Sequence, residues 1–498
     1  MKLEQKLVPI DTLSKSLESW LADKSHRLGF VTSIDGGQLL LLLFDLAAGT
    51  AELWESELKD SAYTSLTLLF PQVHWYERVL CDMFGILPRQ HPRLKPVIIH
   101  EEYPPEFYPL RQIEDHVGPS MAEHKHQNFL EVHGDGVWEL PVGPIHAGVI
   151  EPAHFRCSCL GETIVNLELQ LGFLHRGVEK KITQIPWQKA RFVVESTATD
   201  TAVANALAHA VTIESLFEVE LPPRTQILRT IALETERVAM HVVDVGGMMT
   251  DMGMVPMAQT MSKLRGHALN LGQALTGSRF MRAFVLPGGV AHIPSADSLT
   301  TAKNLAIDLR NKLKPVLSIF QDNQAAIGRM EGIGKVKRSL ANEFGFVGVA
   351  SRACGLDYDA RRHFSHGVYP EQAPPVALDS GGDILSRTNV RIKEIWSSLD
   401  LLERLIDSVS TARDTAARIE LGGTLPANKR AAAVVEAFRG ELIHLCLTDD
   451  AGRIKRYAIK DPSQNNWTMI PICVRDNLIA DFPLCNKSMA LSYGGNDL

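Results

Sequence analysis

Long apolar runs are absent from this chain of 498 residues. The longest, at 39–44, is far shorter than the roughly 18 residues that a membrane-spanning helix requires, so we expect no transmembrane segment. Residues 1–21 alternate charged and apolar side chains without a continuous apolar core, which predicts that they are not a secretory signal. An excess of positive charge is also missing, since the formal net charge is −7. This balance argues against nucleic acid or anionic lipid as the main partner.

Cysteine pairs of the metal-binding or redox type are missing as well. None of the seven cysteines forms a C-x-x-C pair, and the single C-x-C, at Cys157 and Cys159, would place both thiols on one face of a strand. Ordinary buried thiols in a reducing compartment are the simplest interpretation, and a cytoplasmic location follows. The composition does contain 45% hydrophobic and 22% charged residues, which is typical of a globular protein with a large core. The length predicts two or three domains.

The first domain is predicted at 1–115 as a small α/β unit. Periodicity predicts an amphipathic helix over 10–28, followed by strands at 29–34, 38–44 and 66–70. A polar linker is predicted at 116–136, where glycines and acids surround His116, His124, His126 and His133. A His-x-His pair can bind metal, but without further ligands at fixed spacing the linker interpretation is preferred.

The remaining residues, 137–498, are predicted to form a large second domain. Short strands are expected at its two ends, at 137–140, 154–159, 164–171, 440–447 and 453–459. Between them, periodicity predicts helices at 202–217, 226–245, 258–275, 298–323, 392–413 and 429–438, with Gly246-Gly247 interrupting one helix and Pro315 breaking or kinking another. The predicted fold is α+β and multidomain: a small α/β N-terminal domain, then a large helical-bundle domain flanked by β-structure.

A loop rich in glycine and proline is the first place to look for chemistry. It reads Gly143-Pro-Ile-His-Ala-Gly-Val-Ile-Glu-Pro-Ala-His-Phe-Arg156 and carries His146 and His154. Glycine and proline disfavour a regular helix, and binding sites concentrate in such loops. Each histidine has a structural alternative: His146 could pack within the loop, and His154 within the strand that follows.

Part of the first domain resembles the 30 kDa subunit of respiratory NADH dehydrogenase. The block Val73-His-Trp-Tyr-Glu-Arg-Val-Leu-Cys-Asp-Met-Phe-Gly85 matches that family's pattern at Glu77, Arg78, Asp82, Met83, Phe84 and Gly85. His91-Pro92 and a Tyr108-Pro-Leu-Arg111 run also fit. From the residues alone, this block is a helix whose charged side chains point at a neighbour while Trp75, Met83 and Phe84 pack. An interface role is favoured over catalysis.

The second domain resembles the superfamily shared by [NiFe]-hydrogenase large subunits and the 49 kDa subunit of respiratory NADH dehydrogenase (complex I). The matching segments are Gly143-Pro-x-His146, Gly172-Phe-Leu-His-Arg-Gly-x-Glu-Lys180, Glu236-Arg-Val-Ala-x-His241, Pro287-Gly-Gly-Val290, Gly355-x-Asp-Tyr-Asp-x-Arg361 and Arg439-Gly-Glu441. The loop at 142–156 is most similar to membrane-bound hydrogenases of the formate-hydrogenlyase and hydrogenase-4 type, whose large subunits have the same fused N-terminal domain. The resemblance covers nearly the whole chain.

The four thiolates that hold nickel and iron in this superfamily are missing. Their positions fall in the segments 195–207 and 488–498, where the chain has Ala198, Thr201, Ser492 and Gly495. Soft thiolates stabilise such a centre, and the side chains of alanine and glycine cannot ligate a metal. Hydrogenase activity is therefore not expected, and no metal or other cofactor is assigned to this chain.

The resemblance implies instead the quinone chemistry of the 49 kDa subunits, whose cavity holds no metal. Catalytic roles are implied for His146, for His154 if the loop is longer than in the family, and for Asp251 at the position of the aspartate that orients the histidine. Thr199 stands where the family has a tyrosine and is too short to replace a phenol. The implied acceptor pocket is lined by Ala198, Thr199, Thr201, Ser492 and Gly495. Two-electron quinone reduction also consumes two protons, so a proton donor is chemically required.

Three further residues receive roles from the resemblance. His241 falls on the histidine near the terminal iron–sulfur cluster, and Arg237 lies on the same helix face. Glu179 is a candidate for a proton path, although a charged helix start is the alternative. Asp251 has the alternative of a helix-end carboxylate. The arginines and aspartates at 357–362 are most simply an ion-pair network.

The sequence as a whole predicts a large peripheral-arm subunit of a membrane-associated respiratory complex of the hydrogenase-4 or NADH-dehydrogenase type. Its expected partners are a small subunit that holds a [4Fe–4S] cluster and a membrane arm that translocates protons or sodium ions. Electrons would pass from that cluster to a quinone-like acceptor on the cytoplasmic face of the cell membrane. The alternative from another class is a redox-silent scaffold that holds the small subunit on the membrane arm.

Overall fold

The computed structural model describes residues 3–100, 103–104, 106–111, 129–145, 150–364, 366–411 and 416–498. It has a mixed α and β architecture with several small sheets around a helical bundle, as the sequence predicted. No helix within these ranges is both long and apolar enough to cross a bilayer.

The N-terminal part is built on a four-stranded sheet with the order β1-β4-β3-β2. Its elements are β1 (Leu3–Leu7), α1 (Leu13–Leu21), β2 (His26–Ser33), β3 (Gln38–Asp45), β4 (Thr50–Glu57), β5 (Ala62–Thr64), α2 (His74–Phe84) and β6 (Leu87–Arg89). The β1–β4 pair is parallel and the other pairs of this sheet are antiparallel. Helix α2 packs against β2 and carries the block that resembles the 30 kDa subunit.

A three-stranded antiparallel sheet opens the second part and leads into the helices. The elements are β7 (Val137–Val142), β8 (His154–Leu160), β9 (Thr163–Gln170), α3 (Val178–Gln184), α4 (Trp187–Val194), α5 (Ala202–Phe217), α6 (Pro223–Asp251), α7 (Val255–Thr276), β10 (Val285–Leu286), β11 (Gly289–Val290), α8 (Ala296–Gln321), α9 (Gln324–Gly328), α10 (Arg338–Glu343), α11 (Gly348–Arg352), α12 (Ala360–His363), α13 (Tyr369–Gln372) and α14 (Ile384–Thr411). Helix α6 is the axis of the bundle, because it packs against α7 and α14 along its length.

The chain closes with a second antiparallel sheet and four short helices. These are β12 (Arg430–Ala437), β13 (Gly440–Thr448), β14 (Ile454–Lys460), α15 (Pro462–Asn466), α16 (Met469–Val474), α17 (Phe482–Met489) and α18 (Tyr493–Asp497). Strands β12 and β13 pack on α5, so this sheet covers the helix that begins at the altered metal-ligand segment.

The structure contradicts three of the predicted elements. The helix predicted over 10–28 ends at Leu21, because the following residues pair with β3 as strand β2. Residues 66–70 form turns rather than a strand. The helix predicted at 429–438 is strand β12, which is buried on both faces. A strand buried on both faces has a continuous apolar run, and such a run does not distinguish a strand from a buried helix.

The predicted interruption at Gly246-Gly247 and the predicted break at Pro315 are also wrong, whereas a kink at Pro315 stays a prediction. Helix α6 continues through Gly246-Gly247, and α8 continues through Pro315. Gly246 has a packing role instead, because a Cβ atom there would lie 2.8 Å from the Cβ of Met261 on α7. The glycine therefore permits the close approach of α6 and α7.

The charged residues of α2 bind loops of the same N-terminal part, and their role at an interface with another protein stays a prediction. Glu77 is fully buried and accepts hydrogen bonds from the hydroxyls of Tyr63, Ser65 and Thr67 and from the Leu66 amide, at 2.5–2.9 Å. Asp82 accepts from three backbone amides at 97–99. Helix α2 contacts the second part through Trp75, whose indole nitrogen donates to Asn496 at 3.0 Å, and through His74, whose Nε2 lies 2.6 Å from the Thr468 hydroxyl.

Replacing Glu77 with methionine is expected to destabilise the fold by about 1–3 kcal/mol, because the buried Leu66 amide loses its acceptor and the hydroxyls lose theirs. The exposed Glu57, replaced in the same way, should change stability by less than about 0.5 kcal/mol. Urea unfolding of the two variants measures both values. Equal effects from the two variants would contradict the role assigned to Glu77.

Candidate functional site

Elements that carry candidate residues meet at residues 487–498, here called the C-terminal segment. Lys487 Nζ lies 2.5 Å from Asp251 Oδ1 at the end of α6. The Gly494 amide donates to Glu151 in the loop before β8 at 3.0 Å, and the Val178 amide at the start of α3 donates to the Leu498 carbonyl at 3.3 Å. The C-terminal segment thus joins three regions that are far apart in the sequence.

A fourth connection runs through Arg439, which lies in the turn between β12 and β13. Its guanidinium donates to both carboxylate oxygens of Asp200, at 2.8 and 2.6 Å, and to the Thr201 hydroxyl at 2.9 Å. Its Nε donates to the Ala490 carbonyl of the C-terminal segment. We call these four residues the Arg439 corner. It joins the two segments in which the superfamily carries its metal-binding cysteines.

The charges in the Arg439 corner stabilise each other. Burial opposes ionisation of Asp200, but the adjacent Arg439 outweighs it and lowers the pKa of that carboxyl below its usual value. Burial likewise opposes the charge on Arg439, and Asp200 raises the pKa of the guanidinium above its usual value. Both groups are therefore charged at neutral pH, in a pair whose Arg439 side chain is 8% exposed and whose Asp200 side chain is 35% exposed.

Of the residues predicted to line the acceptor pocket, four are buried and one is exposed. Ala198, Thr201, Ser492 and Gly495 lie in the interior, whereas Thr199 is on the surface. Thr201 is the residue before α5, and its hydroxyl binds Arg439 and Asp200. Ser492 caps α18, with its hydroxyl accepting from the Gly495 amide at 2.9 Å. The structure thus brings Thr201 and the C-terminal segment together but turns Thr199 outward.

Asp251 is the last residue of α6 and is mostly buried. One carboxylate oxygen binds Lys487, and the other, Oδ2, is buried with no hydrogen-bond partner in the described part of the chain. The turn that follows and the start of α7 are apolar. Met252, Met254 and Met257 are half-buried, and Val255 is 53% exposed. Flexible methionines are over-used at surfaces that accept varied apolar ligands. Asp251 therefore combines a free carboxylate oxygen with an adjacent apolar surface.

His154 begins β8, and its Nδ1 lies 3.1 Å from the Gly143 carbonyl. Since a carbonyl only accepts, Nδ1 carries the hydrogen and Nε2 is left as an acceptor. Burial lowers the pKa of this histidine, so it is neutral at pH 7. No hydrogen bond or ring contact joins His154 to Asp251 or to the Arg439 corner within the described ranges. His146, the other catalytic candidate of this loop, lies outside the described residues.

His241 and Arg237 lie in a buried ionic network next to the β12–β13 turn that carries Arg439. His241 is fully buried, and its Nε2 is 2.8 Å from Glu394. Arg237 donates to Glu234 at 3.2 Å and to the carbonyls of residues 436 and 437, just before the turn that carries Arg439. These two side chains therefore stabilise the β12–β13 turn from inside the protein.

Of the ion pairs predicted at 357–362, the Arg361–Asp359 pair belongs to the same buried network, whereas the Arg362–Asp357 pair is exposed. Arg361 binds Asp359 and Glu234, and Arg362 binds Asp357, which confirms that prediction. Arg352 completes the network with 2.7 Å contacts to both Glu394 and Glu436. Within the described ranges, no group of three or more His, Cys, Asp or Glu side chains could hold a metal ion.

Glu179, the candidate for a proton path, is held by β14. It accepts from the Ile459 amide at 2.7 Å and pairs with Arg456 at 2.9 Å, and the residue is 8% exposed. It borders a cleft of about 490 Å³ shared with Arg111 and Lys180. Glu179 is thus fixed between the start of α3 and the C-terminal sheet.

Several residues of this region were not singled out by sequence reasoning. Asp200, Lys487 and Glu151 make their contacts to residues more than 200 positions away. The only available signals were that Asp200 adjoins Thr201 in the altered segment and that Arg439 opens a matching motif. Neither signal shows that the two residues form a pair.

Comparisons with known proteins agree with this architecture. Residues 44–119 match the family described as respiratory-chain NADH dehydrogenase, 30 Kd subunit, and residues 251–421 match its 49 Kd subunit family. Formate hydrogenlyase subunit 5 of Escherichia coli is 26% identical over 448 residues, covering 89% of this chain and 78% of that protein. The C/D polypeptide of NADH-quinone oxidoreductase from Buchnera aphidicola is 25% identical over 474 residues, covering 85% of this chain and 78% of that protein.

A solved structure shows the same fold. It is that of the membrane-bound sulfane sulfur reductase, an archaeal respiratory membrane complex, with a TM-score of 0.69 and 26% identity over 73% of this chain and 99% of the matched chain. The chain is therefore a subunit of the complex-I-like and hydrogenase-4-type respiratory complexes, with a 30 kDa-type and a 49 kDa-type domain fused in one polypeptide.

Proposed function

We propose that the chain is the large peripheral-arm subunit of such a complex and transfers electrons from a partner's [4Fe–4S] cluster to a quinone-like acceptor. The transfer would be coupled to ion translocation by a membrane arm, with this subunit on the cytoplasmic face. The observation that carries the proposal is the meeting of Asp251, Thr201 and Arg439 at the C-terminal segment, where related hydrogenases bind metal through thiolates.

The residues at the four thiolate positions do not fit a nickel–iron centre. Ala198 and Gly495 have no donor atom, the Thr201 hydroxyl binds Arg439, and the Ser492 hydroxyl caps α18. Soft thiolate ligands are what such a centre requires. The chemistry of this site must therefore be carried out by acids, bases and hydrogen-bond donors.

The described side chains supply what quinone reduction needs. Asp251 Oδ2 has no partner and can bind a proton or a hydroxyl of the acceptor, while Lys487 beside it stabilises negative charge that develops on the acceptor. The methionine-rich turn after Asp251 provides the apolar surface that a quinone ring requires. His154 Nε2 is an acceptor in the neutral state and becomes a donor once the ring is protonated.

A redox-silent scaffold is the second candidate. It is favoured by the Arg439 corner, in which the guanidinium fills the space between the two altered segments and its donors are bound to Asp200, Thr201 and Ala490. In that case the chain would hold the cluster-bearing subunit in place without taking part in the chemistry.

Replacing Asp251 with asparagine separates the two functions. If the carboxylate handles protons, acceptor-dependent reoxidation of the partner's cluster in the purified complex should slow by about 100-fold or more. Asp308 on α8, which forms an exposed pair with Lys312, is the matched control, and its asparagine variant should keep full turnover. Stopped-flow absorbance of the cluster measures the rate.

The scaffold gives the opposite result in the same experiment. Turnover that is unchanged in both variants, or a parent complex whose cluster is not reoxidised by a quinone analogue, would contradict the enzyme function. Assembly of the complex, followed by gel filtration, should be unchanged in both variants. This control shows that a loss of rate does not arise from a lost subunit.

A further inference from the structure

Asp461 is a buried carboxyl with one oxygen engaged and one oxygen free. It precedes α15, and its Oδ1 accepts from the Ser463 amide at 2.8 Å, as a helix N-cap does. The residue is fully buried, yet Oδ2 has no hydrogen-bond partner among the described residues. Buried polar atoms are nearly always satisfied, so an unpartnered one requires an explanation.

The free oxygen points at Gly495. A Cβ atom at Gly495 would lie 2.5 Å from Asp461 Oδ2 and 2.9 Å from the Ser492 hydroxyl. Any side chain at 495 would therefore collide with the carboxyl. The Asp461 carboxyl occupies the place where a side chain at 495 would lie, and 495 is one of the positions at which the thiolate is missing.

The charged groups that face Asp461 come from three elements. Arg439 attracts the ionised form, Asp200 repels it, and Lys460, the preceding residue, is bound to Glu441 at 2.7 Å. Arg439 makes its hydrogen bonds to other residues and none to Oδ2. Burial is the largest effect on this group, and it raises the pKa of Asp461 above its usual value. A carboxyl in this setting keeps a proton longer than an exposed one.

We propose that Asp461 is a proton donor for the acceptor, with its free oxygen directed at the backbone of Gly495. The proposal rests on the proposed function and adds a catalytic residue to it. When the acceptor has received two electrons from the partner's cluster, the O–H bond of Asp461 breaks and an O–H bond forms on one carbonyl oxygen of the acceptor, while the second proton comes through Asp251. Arg439 then stabilises the carboxylate, which regains a proton from water before the next turnover.

The alternative is that Asp461 only caps α15, and the asparagine variant distinguishes the two roles. Asparagine and aspartate are about equally good N-caps, so Asp461→Asn keeps the cap through the remaining oxygen but has no proton to donate. We expect kcat with a short-chain quinone analogue to fall by about 100-fold or more, with KM changed little. The pH profile of kcat should lose one ionisation. Asp308→Asn is the control and should leave both quantities unchanged.

Infrared spectroscopy gives a readout that does not depend on activity. Burial raises the pKa of Glu236 to about 8, so the band of Asp461 is identified from the difference between two spectra. At neutral pH the parent complex should show a carbonyl stretch of a protonated carboxyl that is missing in Asp461→Asn. Gly495→Ala should shift the same band, because the added methyl displaces the carboxyl.

The outcomes separate this proposal from the function on which it rests. A parent complex without quinone-dependent turnover overturns both. Parent turnover together with an unchanged rate and pH profile in Asp461→Asn overturns the proton donor alone. If Asp461→Asn does not assemble, the infrared band of the parent and its shift in Gly495→Ala decide the question: no band, or no shift, overturns the proposal.

Discussion

Replacing Arg439 with methionine is expected to destabilise the protein by about 1–3 kcal/mol, because its hydrogen bonds to the partly exposed Asp200 carboxylate and to two further acceptors are lost. The Asp200 carboxylate, which is 35% exposed, would lose its charged partner, and the Ala490 carbonyl and the Thr201 hydroxyl would each lose a donor. Urea unfolding at pH 7 measures the change. The variant should also release the C-terminal segment, which faster hydrogen exchange at 490–498 would show.

Two companion variants make this prediction specific. Adding Asp200→Asn to Arg439→Met removes the uncompensated charge, so the double variant should recover part of the lost stability. Arg453 pairs with Asp449 at 2.9 Å but is 77% exposed, and Arg453→Met should cost less than about 1 kcal/mol. A loss of similar size for Arg439→Met and Arg453→Met would show that the Arg439 corner does not hold the two segments together.

Lowering the pH from 8 to 5 is expected to destabilise the protein, because buried neutral histidines lie where helix α5 packs on the C-terminal sheet. His209 on α5 and His444 on β13 are fully buried and share the Tyr457 hydroxyl, at 2.8 Å from each ring. The second ring nitrogen of His444 is 3.2 Å from Asn205, whose amide donates to the Thr201 carbonyl. This chain of hydrogen bonds connects the sheet to the Arg439 corner.

The sign of the effect follows from the two pKa shifts. Burial lowers the pKa of His209 to about 3, and burial together with His209 lowers that of His444 well below its usual value. Below pH 6.5 the unfolded chain therefore binds protons that the folded chain does not, and stability falls as the pH falls. The usual pKa of histidine is about 6.5, so pH 5 lies about 1.5 units below it. For His209 alone, this difference corresponds to a loss of roughly 2 kcal/mol of folding stability at pH 5.

His209→Gln tests this linkage, because glutamine has a donor and an acceptor but does not titrate in this range. The free energy of unfolding of the variant, relative to that of the parent protein, should be higher by roughly 2 kcal/mol at pH 5 than at pH 8. His133, which is largely exposed, provides the control, and His133→Gln should leave the pH dependence unchanged. Urea unfolding at the two pH values measures the difference. Parallel stability curves for parent and His209→Gln would contradict the neutral state of His209.

The fold could be predicted where local pattern and final structure agree. Helix α5 begins and ends at the residues that periodicity predicted, because its apolar side chains repeat at helical spacing. Strand β12 could not be predicted, since a run of alanine and valine is consistent with a buried helix as well as with a buried strand. Its pairing with β13 and its packing on α5 decide the outcome. The continuation of α6 through Gly246-Gly247 likewise depends on the contact with α7.

The sequence by itself determined the family and the loss of the metal-binding thiolates, because both are properties of residue identity at spaced positions. Only the tertiary structure decided which contacts are made near these positions. Arg439 pairs with Asp200, Lys487 pairs with Asp251, and the Asp461 carboxyl lies against Gly495. The last of these joins positions 34 residues apart, and the other two join positions more than 200 residues apart. Local propensity does not encode such contacts, and the packing of the sheet, the helices and the C-terminal segment brings them together.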